Sequence, residues 1–146
     1  AIGDDGSAQR LIKTMVRKGF RFVGEVREDE AGAHALVPLA HHERWLYFSA
    51  FDGDRKGQKK YFETPAVQRE LQAAWSRGPG SPAFRRGRFG ATQTALFAFG
   101  FTLGLDAARA REAFERLGPV VTPTPWSSQG DATDVFKQAR AWAYSS

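Results

Sequence analysis

The residues able to do acid–base chemistry are few, and most crowd into one stretch: His41, His42 and Glu43, followed by Asp52 and Asp54. A hydrolase-type enzyme could draw on a histidine as general base with a carboxylate to orient it. The segment 43–51 (ERWLYFSAF) reads as a strand. Its ends would then lie roughly 25–30 Å apart at about 3.3 Å per residue, so the histidines reach Asp52 or Asp54 only if the flanking loops fold back. Adjacent strand residues also point to opposite faces, which makes His41 and His42 poor joint ligands. No HExxH-like spacing is present and there is no cysteine, so neither a metal site nor a cofactor is expected. None of Ser49, Ser76, Ser81, Ser127 and Ser128 sits in a Gly-x-Ser-x-Gly elbow.

A second chemistry is carried by Phe84-Arg85-Arg86-Gly87-Arg88-Phe89, which follows the breaker at 78–82. Three guanidinium groups beside two rings can contact phosphates while the rings stack on bases. The plainer reading is a solvated loop whose phenylalanines anchor the next helix. The run Arg55, Lys56, Lys59 and Lys60, ending at Tyr61, adds to the basic surface. The whole chain of 146 residues carries 21 basic and 16 acidic side chains, a net +5 that suits acidic partners. Trp45, Trp75, Trp126 and Trp142 could line a sugar or aromatic-ligand pocket. Three of them fall on strand or helix stripes, whereas Trp126 lies in the Pro-rich loop 119–130 and either plugs the core or rims a site.

The elements that must position these groups are punctuated clearly. Thr64-Pro65 opens a helix with the stripe Val67, Leu71, Ala74 and Trp75, closed by Gly78-Pro79-Gly80. Asp106 caps a second, with Ala110, Phe114 and Leu117. Asp131 caps a third, with Val135, Phe136, Ala139, Trp142 and Ala143. The segment 92–104 is apolar all round and is expected to be the central helix; Gly100 and Gly104 permit close helix contact. The apolar run from Ala91 to Leu105, about 15 residues, is short of the roughly 20 a membrane span needs, so no membrane is expected and the cytoplasm is the default location. Residues 11–16 and 20–26 alternate as a hairpin around Arg17-Lys18-Gly19. Residues 27–43 read as a linker with a short strand at 35–37.

Residues 2–26, IGDDGSAQRLIKTMVRKGFRFVGEV, resemble the end of the winged-helix DNA-binding domain of response-regulator-type transcriptional regulators. The likeness is carried by Ile12, Thr14, Met15-Val16, Arg17-Lys18, Gly19, Phe20, Arg21 and Phe22, which match that family's wing hairpin. The family places its recognition helix ahead of this hairpin. What the resemblance implies is therefore contact with a phosphate backbone or minor groove by Lys13, Arg17, Lys18 and Arg21, without base reading.

The expected fold is α+β in a single domain: an N-terminal hairpin, one further strand at 44–51, and four helices packed around 92–104. The expected function is a small nucleic-acid-associated or regulatory domain. The expected contacts are Lys13, Arg17, Lys18, Arg21, Phe84, Arg85, Arg86, Arg88 and Phe89. One alternative is a hydrolase using His41, His42, Glu43 and Asp52 or Asp54. Another is an interaction module, including a homodimer, formed through the exposed hairpin edge.

Overall fold

The computed structural model describes residues 26–48, 55–85 and 87–146, and within them the chain is helical. Six α-helices follow in order: α1 (Val26–Tyr47), α2 (Arg55–Lys60), α3 (Pro65–Arg77), α4 (Gly90–Leu103), α5 (Ala107–Leu117) and α6 (Ala132–Ser145). Short 3-10 turns sit at Tyr61–Glu63 and Trp126–Ser128. No strand occurs among the described residues, so the α+β expectation is wrong for this part of the chain. The hairpin 11–26 lies outside the described residues except for Val26, which opens α1.

The linker at 27–43, the short strand at 35–37 and the first half of the strand at 44–51 are all one helix, α1. Two features hid it. Pro38 stands inside the helix, where proline ordinarily costs about 3 kcal/mol. The buried positions Pro38, His41, His42 and Trp45 are spaced i, i+3, i+4, i+7, a helical stripe in which the middle two members are histidines. A count of apolar residues alone misses such a stripe.

The other helices form where their boundary residues place them. Asp106 accepts from Arg109 N at 3.1 Å, and Asp131 accepts from Asp134 N at 3.1 Å, each satisfying one unpaired amide of the first turn. Thr64 precedes Pro65 as expected, but its hydroxyl bonds back to Lys60 O at 3.4 Å instead of capping α3. Helix ends are also tied across elements. Arg111 of α5 donates twice to Ala143 O, at 3.1 and 3.3 Å, and so closes the last turn of α6. Arg116 donates to Gly80 O at 3.1 Å beyond the end of α3.

Helix α4 is the centre of the core, with every residue from Thr94 to Phe101 buried. It turns into α5 through Gly104 and Leu105, the latter in the left-handed region at φ 62°. A Cβ on Gly100 would stand 2.9 Å from Leu71 Cδ1, and one on Gly104 would stand 2.8 Å from Phe62 O. These close approaches let Gln68 of α3 donate to Phe62 O at 2.7 Å and to Gly100 O at 3.2 Å. Trp126 plugs the core. It is fully buried, stacked on Phe114 with ring centroids 5.6 Å apart and edge-on to Phe99 and Phe136. Among the described residues no helix is long and apolar enough to cross a membrane.

Candidate functional site

His41 and His42 follow one another on α1, and successive helical residues are rotated by about 100°, so the two rings enter different environments. His41 lies in the seam between α1, the 61–63 turn and α3. Its Nε2 is 2.9 Å from Glu70 Oε2, and its Nδ1 is 2.8 Å from the Tyr61 hydroxyl. Glu70 accepts as a carboxylate, so Nε2 carries the proton; in the neutral imidazole the Tyr61 hydroxyl then donates to Nδ1. The hydrogen bond from His41 holds the Glu70 carboxyl below its ordinary pKa, against the opposing effect of partial burial.

His42 faces the core. It stacks on Trp45 at 5.9 Å between centroids and meets the edge of Phe99 at 5.3 Å. Its Nε2 is 3.4 Å from Ser128 Oγ, whose own hydroxyl donates to Pro125 O at 2.5 Å. With the serine proton committed there, the His42 Nε2–H must be the donor to Ser128. The lone pair is left on Nδ1, buried with no hydrogen-bond partner. His42 is therefore badly placed to activate Ser128 as a nucleophile.

Burial lowers the His42 pKa from 6.5 to about 4. Above pH 6.5 both the folded and unfolded chains hold it neutral, and its contribution to stability is complete. Between pH 6.5 and about 4 only the unfolded chain takes up the proton, so stability falls as the pH falls, by on the order of 3 kcal/mol across that window. Glu70 acts lower down: its contribution is present above its ordinary value of 4.5 and is lost as the pH falls through its lowered folded value. Urea midpoints measured from pH 7.5 to 3.5 should show both losses, and His42→Leu should flatten the upper one alone. A wild-type midpoint that stays constant between pH 6.5 and 4.5 would contradict this placement of His42.

Of the acid–base residues expected from the sequence, His41 and His42 take separate partners. Glu43 is exposed on α1, and Asp52 and Asp54 lie outside the described residues. His41 and His42 instead find Tyr61, Glu70 and Ser128, three partners the spacing gave no reason to choose. Among the described residues no group of three or more His, Asp and Glu side chains could hold a metal ion.

Beside Ser128 opens a cleft of about 590 Å³ whose lining includes Trp45, Trp142, Gln58, Gln129 and Gln138. Among the described residues no ionisable side chain lines it. Trp45 belongs to α1, Gln58 to the short helix α2, and Gln138 and Trp142 to α6.

The basic runs marked in the sequence and lying among the described residues stand at two places. In the loop before α4, Arg85 and Arg88 are exposed, Phe84 is half-buried and the Phe89 ring is 67% exposed. Only Phe84 comes near the plainer expectation of a ring anchored in the fold. On α2, Arg55, Lys56, Lys59 and Lys60 are all exposed, and the helix has no buried residue. Helix α2 leads into the turn whose Phe62 packs by Gly100, near the far end of α4 from Arg88. At about 1.5 Å per residue, α4 separates the two clusters by roughly 20 Å. Lys13, Arg17, Lys18, Arg21 and Arg86 lie outside the described residues. Compared with protein-family models, with curated proteins and with solved structures, the chain matches none.

Proposed function

We propose that this chain is a nucleic-acid-associated domain that grips the phosphate backbone through exposed basic side chains and stacks Phe89 on a base. The observation that carries the reading is Phe89 itself, a ring 67% exposed between the exposed Arg88 and the first turn of α4. Burying a phenylalanine would stabilise the fold by about 1.5–3 kcal/mol, so a ring left in water beside cations forgoes that gain. Stacking on an unpaired base recovers it, and the neighbouring guanidiniums meet the phosphates. The net charge of +5 and the wing-like segment 2–26 support the same reading. A transcription-regulatory role in the cytoplasm is the form of it that the resemblance favours.

The test is fluorescence anisotropy with labelled single-stranded and duplex oligonucleotides at about 50 mM salt. Phe89→Ala should weaken single-strand binding by about 5- to 150-fold, the range for one lost stacking platform, and duplex binding by less. Equal affinity of wild type and variant for single strands would overturn the role given to Phe89.

One observation favours a hydrolase-type reading: the chain of hydroxyl, imidazole and carboxylate formed by Tyr61, His41 and Glu70 has the connectivity of nucleophile, base and orienting group. That reading requires Tyr61→Phe to abolish turnover of an ester or phosphodiester substrate while leaving oligonucleotide affinity unchanged.

A further inference from the structure

The cleft beside Ser128 shares Trp45 and Ser128 with the His42 contacts, and the rest of its lining is chemically selective. Two indole rings, from Trp45 and Trp142, share it with the primary amides of Gln58, Gln129 and Gln138. A volume of about 590 Å³ suits a small ligand. Among the described residues the lining holds no ionisable group, so a charge placed inside would find no counter-charge among them. This lining favours a neutral part of a ligand. Trp45 is buried with His42 stacked on its ring, so the half-buried Trp142 is the more accessible indole, and an indole face favours a flat aromatic group. A primary amide presents a donor and an acceptor side by side in one plane, which matches the edge of a nucleobase.

A neutral sugar would satisfy the amides and rings equally well, but the setting of Gln58 decides between them. Gln58 lies on α2, whose sequence RKGQKK contains four cations and no acid, and Arg55, Lys56, Lys59 and Lys60 are all exposed there. On α2 Arg55 stands one turn before Gln58 on the same side and Lys59 follows it, so a group projecting from the cleft past Gln58 meets these two of the four cations. A sugar leaves them unused; a base linked to phosphate engages them. The geometry points to a nucleobase site: the base enters against Trp142 and the amides, and its phosphate meets Arg55 and Lys59 of α2. The inference rests on the proposed nucleic-acid reading only for the polymer that would supply the base. A free nucleotide presents the same chemistry.

The experiment titrates the full chain with the four ribonucleoside monophosphates, their uncharged nucleosides and a single-stranded oligonucleotide, following tryptophan fluorescence and heat of binding. Gln129 and Gln138 are both exposed, so Gln129→Ala/Gln138→Ala removes two amides without opening the core. At least one monophosphate should bind saturably, and the amide variant should weaken it about tenfold. Arg55→Ala/Lys59→Ala should weaken the monophosphate but not its nucleoside. Arg85→Ala/Arg88→Ala should leave monophosphate binding unchanged. No saturable binding of any monophosphate, or equal affinity in the amide variant, overturns the proposal. So does binding of a neutral oligosaccharide in place of the nucleotides. If monophosphates bind as expected while oligonucleotide affinity ignores the loop variant, the cleft stands and the loop reading falls.

Discussion

Phe99→Ala is expected to destabilise the protein by about 3–5 kcal/mol, the cost of removing a large ring from a core that cannot close over the gap. Phe99 is 2% exposed on α4 and joins four rings from separate parts of the chain. Its centroid lies 5.3 Å from both His42 and Trp45, 5.8 Å from Trp126 and 6.0 Å from Phe62. Edge-to-face contacts of this kind add to the area buried, so the loss exceeds simple transfer of a benzyl group to water. The cavity would open behind Trp45, one wall of the cleft, so ligand affinity should fall with stability. Phe89→Ala is the matched control. Its ring is exposed, and its effect on stability should stay within about 0.5 kcal/mol. Urea denaturation of both variants checks the pair, and equal midpoints for the two would show that α4 is not the centre of the fold.

The central helix was legible because its apolar residues leave no polar face, and it occupies Gly90–Leu103 against the expected 92–104. Helices α3, α5 and α6 were legible through Pro65, Asp106 and Asp131, each a residue with a local reason to start a helix. Helix α1 was not, because its core face uses two histidines and a proline where a pattern search looks for aliphatic residues. Reading 44–51 as a strand followed from Trp45, Leu46, Tyr47 and Phe48 standing in an unbroken apolar run. On α1 that run is resolved by rotation: Trp45 is buried, Leu46 and Phe48 are half-buried and Tyr47 is exposed.

The candidate site was less legible than the fold. Once His41 is placed on a core-facing stripe, it must find polar partners. Nothing local identifies Tyr61 and Glu70, which lie 20 and 29 residues away. Ser128 reaches His42 only because the Trp126 plug fixes the turn at 126–128. The exposed Phe89, by contrast, sits in the Arg/Phe segment that the sequence marked from its composition alone.

The second large effect concerns that segment, and the dependence of affinity on salt measures it most directly. Each phosphate neutralised contributes about 0.7 to the slope of log affinity against log salt for single strands, and about 0.9 for duplex DNA. If Arg85 and Arg88 each hold one phosphate, Arg85→Ala/Arg88→Ala should flatten the slope by about 1.4 for single strands and by about 1.8 for duplexes. Affinity should fall alike for unrelated sequences, because phosphates carry no sequence information. The measurement is a titration of wild type and double variant against labelled oligonucleotides between about 50 and 200 mM salt. Affinity and slope should fall in parallel in the variant. Equal slopes for the two proteins, or no binding by wild type at about 50 mM salt, would contradict it.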